Sequence, residues 1–184
     1  MRAIRQHEFG PPEVLRLEEV PDPEPGPGEI RIAVEAAGVH RVDTMIRAGA
    51  APGGPPPTLP MTPGREVAGV VDRVGPGVGA EWLTRRVVAH LGPANGGYAE
   101  LAVVAAARAY PVPDALDAAT AVAAIGTGRT AVAILDLAAI QPTDVVAVTS
   151  AAGGLGVLLL QGARHAGARA IGLAGGPAKL AVAA

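Results

Sequence analysis

The run Ser150-Ala151-Ala152-Gly153-Gly154-Leu155-Gly156 constrains the fold more than any other feature of the chain. It is preceded by a short continuous apolar stretch, Asp144 to Thr149, which reads as a buried parallel strand. An apolar segment from Gly154 to about Ala166 follows and reads as a helix. A second apolar run, Arg169 to Ala174, completes a βαβ unit, and Pro177 opens a further helix. Between strand and helix the turn fits G-x-G-x-x-G, with Ala151 in the first glycine position, Gly153 in the second and Gly156 in the third. Gly153 lets backbone approach a pyrophosphate, and Gly156 lets helix and strand pack closely. The helix start, with Gly154 and Leu155, offers unpaired N–H groups and a positive dipole end. The expectation is a dinucleotide site built from Ala151, Gly153, Gly154, Leu155 and Gly156; a bare structural turn is the plain alternative.

Cofactor choice is read at the end of the second strand, where an acid would hold the ribose 2′-hydroxyl of NAD. The residues there are Ile171-Gly172-Leu173-Ala174-Gly175-Gly176, without a carboxylate, and Lys179 follows as a cation for a 2′-phosphate. NADPH is therefore expected over NADH. The competing reading of Lys179 is a solvated helix lysine.

The first part of the chain has a different texture. Short β-branched runs, Ile30 to Ala37, Val67 to Val74, Arg86 to His90 and Ala99 to Val104, alternate with proline and glycine clusters, which suits a small barrel or sandwich. The proline-rich stretch Ala50 to Pro63 reads as a loop, either bordering a cleft or simply lying on the surface. From Asp117 the sequence turns alanine-rich, with two helices expected at Asp117 to Ala124 and Gly128 to Leu137, and Asp114 or Asp117 as N-cap. The domain boundary is placed accordingly: residues 1–116, then 117–184.

Composition excludes several function classes. The chain has no cysteine, which removes disulfides, thiol nucleophiles and Cys-type zinc sites. Its four histidines, His7, His40, His90 and His165, form no close pair, so no metal site is expected. A formal net charge of −2 without a basic block argues against a nucleic-acid partner. The longest apolar stretches, such as Ala118 to Ile125, fall short of the roughly 20 residues of a bilayer span, and the first residues carry no apolar signal core. A cytoplasmic enzyme or binding protein acting on a small molecule is expected.

Four ordered segments then carry a family resemblance. Gly38-Val39-His40-Arg41-Val42-Asp43-Thr44-Met45-Ile46-Arg47-Ala48-Gly49 resembles G-V-N-x-x-D-x-x-x-R-x-G, and Pro63-Gly64-Arg65-Glu66-Val67-Ala68-Gly69-Val70-Val71 resembles P-G-x-E-x-A-G-x-V. Gly96-Gly97-Tyr98-Ala99-Glu100 matches G-G-Y-A-E, and Gly128-Arg129-Thr130-Ala131 is similar to G-x-T-A. The family is the quinone oxidoreductase (zeta-crystallin-like) branch of the medium-chain dehydrogenases/reductases. The resemblance implies an α/β chain: an N-terminal GroES-like β-barrel domain, then an incomplete Rossmann domain with a doubly wound parallel sheet. Zinc-dependent relatives have Cys at the position of His40 and His at that of Arg65. A guanidinium cannot ligate a metal, so a zinc-free member is implied. The sequence departs from the family at His40, where Asn is usual, at Met45, where an aromatic is usual, and at Thr84-Arg85-Arg86-Val87, where G-D-R-V is common.

The implied chemistry is hydride transfer from NADPH to a quinone or an α,β-unsaturated carbonyl. His40 would hydrogen-bond a substrate carbonyl or donate a proton, against the plain reading of a core or surface histidine. Thr127 and Thr130 would contact the carboxamide or substrate, against helix-start capping. Asp43 and Arg47 are expected to pair and brace their loop, Glu66 to satisfy nearby backbone, and Tyr98 to pack in the barrel. No acid/base pair stands out, which suits an acceptor that takes its proton from water. The rivals are an enoyl-reductase-type enzyme acting on enoyl thioesters and a non-catalytic binding protein. A homodimer is possible. A doubly wound domain uses about six strands, and this chain supplies two. A fragment, a second polypeptide or an oligomer covering the open strand edge is therefore expected, and turnover by these 184 residues alone is not.

Overall fold

The structure, a computed structural model, describes residues 1–50 and 54–184; positions 51–53 of the proline-rich loop lie outside the described residues. Seven strands precede residue 112: β1 (Arg2–Gln6), β2 (Leu15–Glu19), β3 (Glu29–Ala37), β4 (Glu66–Val74), β5 (Arg86–His90), β6 (Leu101–Ala105) and β7 (Ala109–Pro111). β1 and β2 form an antiparallel ribbon, and the others form an antiparallel sheet in the order β6-β3-β4-β5-β7. Only Ala106–Arg108 separate β6 from β7, although they are the outer strands. A flat five-stranded sheet would hold its outer strands about 19 Å apart, and four residue steps reach at most about 14 Å. The sheet must therefore roll up, as the expected barrel requires. Its interior is filled by Ile30, Ile32, Val67, Val71, Val87, Ala89 and Leu91, all nearly or fully buried.

Three of these strands were not expected from the sequence. β1 and β2 alternate apolar and charged residues (Arg-Ala-Ile-Arg-Gln, Leu-Arg-Leu-Glu-Glu), with Ile4 opposite Leu17, and β7 has only three residues. A short helix, α1 (Arg41–Arg47), was also missed. Its charged composition hides a local cap: the Asp43 carboxylate accepts the His40 N–H at 2.8 Å.

The alanine-rich region is one helix, α2 (Ala118–Ala138), and not the expected two. Gly126 and Gly128 lower helix propensity without breaking it. Asp117, one of the two candidate caps, accepts the Thr120 N–H at 2.6 Å, and this bond holds its carboxyl below the usual range. At 21 residues, with mean hydropathy 1.5 over an 18-residue window, α2 is long and apolar enough to cross a membrane by length and composition, which corrects the expectation that no stretch reaches that length. It carries Arg129 and Asp136, and its first turns pack Ala121 and Val122 against Ala68, Val88 and Val112.

The chain divides inside α2 into two compact units, Met1–Ile125 and Gly126–Ala184. In the second, β8 (Val145–Thr149) runs parallel to β9 (Arg169–Leu173), joined through α3 (Gly154–His165) and followed by α4 (Pro177–Ala183). Val148, Ala151 and Leu160 form its core. The continuous apolar run 144–149 implied a strand covered on both faces. Instead burial alternates, and Val145, Ile171 and Leu173 are exposed, because α3 and α4 pack on one face only.

Candidate functional site

In the second unit the glycine turn stands where the sequence placed it, between β8 and α3. Ser150 adopts φ 51°, and Ala151, fully buried, donates its N–H to Leu173 O at 3.0 Å, tying the turn to the end of β9. Gly153 is the N-cap of α3 and offers no side-chain cap, so the first N–H groups of the helix, those of Gly154, Leu155 and Gly156, have no partner within the helix. The glycines differ in what they permit. A Cβ on Gly156 would stand 2.5 Å from Ser150 O and 2.7 Å from Ala151 Cα, so the position serves helix–strand packing. One on Gly153 would meet only Ser150 O, at 3.3 Å, so that position stays open to an approaching group.

A cavity of about 530 Å³ opens beside the turn, lined by Ser150, Ala152, Gly153, Leu173, Ala174, Gly175 and Lys179. It has no acidic side chain, and its one cation is Lys179, in the first turn of α4. Backbone donors and a lysine around a glycine-floored cavity fit a phosphate-bearing ligand. Thr127 stands beside the turn, with Cγ2 3.8 Å from where a Gly154 Cβ would lie. Thr130 is exposed and bonds back to Gly126 O at 3.0 Å. Both lie in the interior of α2, so the helix-start capping considered for them is not made.

The first unit holds a cluster that sequence spacing concealed. Glu66 begins β4 with its side chain only 4% exposed, and its Oε2 lies 2.5 Å from His40 Nε2. Its Oε1 lies 3.7 Å from Nε2 of His90, the residue directly opposite on β5. The Gly92 N–H donates to His90 Nδ1 at 3.1 Å. That nitrogen therefore carries the lone pair, and the ring hydrogen of neutral His90 sits on Nε2, toward Glu66. Tyr98 donates its hydroxyl to Asp43 Oδ2 at 3.0 Å. Burial, followed by the Asp43 and Glu66 charges, pushes its phenol well above the ordinary range.

Four expectations are corrected by this cluster. Asp43 does not pair with Arg47: it caps α1 and accepts from Tyr98, while Arg47 Nε donates to Gly10 O at 3.1 Å. Glu66 meets histidine side chains and not backbone, and Tyr98 is a hydrogen-bond donor as well as a packed ring. An acid/base pair is present, formed by residues 26 positions apart. Period-two patterning locates β4 and β5 and could have aligned Glu66 with His90, but nothing in the sequence brings His40 to them. Arg65, beside the cluster in sequence, donates Nε–H to Gly92 O at 3.2 Å.

Residues 26–114 match the alcohol dehydrogenase GroES-like domain. The quinone oxidoreductase of Rattus norvegicus is 40% identical over 180 residues, 95% of this chain and 53% of that protein. Among solved structures, Escherichia coli quinone oxidoreductase complexed with NADPH superposes with a TM-score of 0.90 at 34% identity, covering 100% of this chain and 55% of that one. An NAD-dependent alcohol dehydrogenase superposes with a TM-score of 0.91, also at 34% identity, over 100% of this chain and 60% of that one. The chain spans about half the length of the curated relatives it matches.

Proposed function

We propose that this chain, whose residues 26–114 match the alcohol dehydrogenase GroES-like domain and which is 40% identical to the quinone oxidoreductase of Rattus norvegicus over 95% of its length, serves NADPH-dependent reduction of a quinone or an α,β-unsaturated carbonyl. The observation that carries this reading is the cavity shared by the glycine turn and Lys179. Ala151, Gly153, Gly154, Leu155 and Gly156 would receive the pyrophosphate, Lys179 the 2′-phosphate, and Thr127 and Thr130 the neighbouring part of the cofactor or acceptor. Bound there, the cofactor would supply a hydride from its nicotinamide, and the chain would supply orientation and shelter from water. Solved relatives of this fold include one complexed with NADPH and one named NAD-dependent. The choice therefore rests on this chain's own residues: a lysine and no carboxylate beside the end of β9.

Zinc independence belongs to the same reading. Arg65 has no lone pair to give, and His90 carries its ring hydrogen on the nitrogen facing Glu66, so neither suits a metal. A small-molecule acceptor, a cytoplasmic location and a possible homodimer complete the proposal. Calorimetric titration of the chain with NADPH and NADH, followed by NADPH oxidation with a quinone, an enone and an enoyl thioester, tests it. Tighter NADPH binding with preference for the quinone or enone is expected. No binding of either cofactor would remove the reading, and preference for the thioester would move it to an enoyl reductase.

A further inference from the structure

We infer that Asn95 is a self-modifying site, at which the Gly96 nitrogen closes on the Asn95 side chain and leaves aspartate or isoaspartate in the loop after β5. The site lies within the first unit and is independent of the cofactor reading. Asn95 is the only asparagine of the chain, and the next residue is glycine, which has no side chain to shield its nitrogen. A Cβ built on Gly96 would meet nothing within 4 Å, so the space around that residue is open. The backbone of Asn95 is also set for closure. Its φ of 58° and ψ of −155° lie at the edge of a region that glycine alone occupies freely, so the residue is held under strain. Viewed down the Cα–C bond of an L-residue, Cβ stands about 120° from the residue's own nitrogen, so the torsion from Cβ to the next nitrogen is ψ plus about 120°. At Asn95 that torsion is about 35° from the eclipsed arrangement that a five-membered ring approaches, against about 80° in an α-helix and about 105° in an antiparallel strand.

Two hydrogen bonds oppose closure. Asn95 Nδ2 donates to Pro93 O at 2.9 Å, and the Gly96 N–H donates to Thr62 O at 2.8 Å and must let go before its nitrogen reacts. A bond of this kind slows the step by about tenfold or less. The step balances with water as the added reactant. Gly96 N gives its hydrogen to solvent, and its electron pair forms a bond to Asn95 Cγ. The Cγ–Nδ2 bond breaks, and Nδ2 takes up a proton and leaves as ammonia. Water then opens the imide at either carbonyl, giving an aspartate side chain or a main chain that runs through Cβ and Cγ. Both products carry one more negative charge, and the isoaspartate adds one bond length, about 1.5 Å, to the main chain. The packing beside it leaves no slack for that length. Gly96, Gly97 and Tyr98 donate their N–H groups to Thr62, Gly64 and Pro63 O at 2.8, 3.0 and 2.9 Å, and a Cβ on Gly97 would stand 3.0 Å from the Gly64 carbonyl carbon. Tyr98 is also pinned through its carbonyl, which accepts the Ile4 N–H at 2.8 Å. The extra length therefore falls on Gly96 and Gly97, whose bonds to residues 62 and 64 open.

The full chain, incubated at mildly alkaline pH beside a peptide of residues 92–99, tests this, with anion exchange and fragment mass spectrometry following the conversion. A product with one more negative charge, changed at Asn95 and methylated by an isoaspartate methyltransferase, should form no more than about tenfold more slowly in the chain than in the peptide. Asn95→Gln should not form it on that timescale, because one more methylene makes the ring six-membered. Gly96→Ala should slow it more than about tenfold by shielding the nitrogen; where that variant, strained at φ 99°, does not fold, Asn95→Gln decides. In the separated isoaspartate fraction the Gly96 and Gly97 amides should exchange hydrogen at least about tenfold faster, with β8 and α3 unchanged. Conversion more than tenfold slower than in the peptide, or the same product from Asn95→Gln, overturns the site. An isoaspartate fraction whose Gly96 and Gly97 amides keep their protection overturns the release of the loop.

Discussion

The two units build their candidate sites from opposite materials. In Met1–Ile125 the candidate site is built from buried residues, Asp43 and Glu66, each with a named hydrogen-bond partner. In Gly126–Ala184 it is carried by bare backbone, small residues and one exposed lysine. Their packing differs too: the rolled sheet encloses its core, whereas the β8–β9 pair is covered on one face. A buried polar side chain fails when atoms are taken away, because a partner is left unsatisfied. A backbone cradle fails when atoms are added. Substitutions of opposite kinds should therefore damage the two units.

The largest effect is expected in the glycine turn. Gly153→Val should reduce NADPH affinity more than about 100-fold, roughly 2.7 kcal/mol, with thermal unfolding little changed, because a Cβ there meets only Ser150 O at 3.3 Å. Gly156→Val should cost the second unit about 3 kcal/mol, since its Cβ would fall 2.5 Å from Ser150 O. Hydrogen exchange separates the two: β8 and α3 amides lose protection in Gly156→Val only. Equal losses of folding in both variants would end the distinction between an open and a packing glycine.

The next contrast lies in the cores. Ile32→Ala, at a fully buried position of the barrel, should cost about 2–5 kcal/mol. Ile171→Ala, on the exposed face of β9, should stay within about 0.5 kcal/mol. Urea titration of each variant measures both. A large cost at Ile171 would mean that this face is covered in solution and that the units are packed more alike than β8–β9 suggests.

The same difference explains what was legible beforehand. The second unit was read nearly to the residue, because its site is contiguous: strand, turn and helix follow one another, and each glycine has a local reason. The burial of β8 was misjudged, since a run of Val and Ala does not say how many faces are covered, and so was the start of the unit, which falls inside α2 at Gly126 and not at 117. In the first unit β3 to β6 were legible from their β-branched runs. Its cluster was not, because His40, Glu66 and His90 come from a helix cap and two strands, and are brought together by the pairing of β3, β4 and β5 and not by nearness in sequence. The pairing expected of Asp43 and Arg47 failed for a related reason. A local partner four residues away lost to Tyr98 and Gly10, which are distant in sequence. The α2 glycines show the reverse error, where local propensity yielded to a continuous helix.

Tyr98 gives the comparison a pH dependence. Its phenol is held above the ordinary value of 10.0 by burial and by the Asp43 and Glu66 charges. In the unfolded chain Tyr98 would lose its proton near that ordinary value, while the folded state keeps it. The folded state then binds more protons, so the stabilisation is fully present below about pH 10 and is lost as pH rises toward the raised value. The first unit should weaken in alkali, and Tyr98→Phe should flatten that slope while costing about 1–3 kcal/mol at neutral pH for the Asp43 bond. Alkaline unfolding monitored on β3–β4 amides checks both, and an unchanged slope in Tyr98→Phe would assign the alkaline loss elsewhere.

The smallest effect is expected at Lys179, and it sharpens the comparison most finely because Lys179 is the one charged side chain lining the cavity of the second unit. It is exposed and lies on a short helix, so water and salt screen it, and an ion pair in such a place contributes little. Lys179→Ala should therefore narrow the preference for NADPH over NADH by about fivefold or less, leaving NADH affinity unchanged, with the narrowing greatest at low salt. A larger, salt-insensitive loss would mean that the ammonium becomes enclosed when the 2′-phosphate arrives, so that the second unit also relies on a buried charged side chain. No change at all would leave the missing carboxylate after β9 as the sole source of the preference. In that case a Leu173→Asp or Ala174→Asp variant should reverse it toward NADH, by giving the ribose hydroxyls an acceptor and a 2′-phosphate a repelling charge. Calorimetry with both cofactors at two salt concentrations distinguishes the three outcomes.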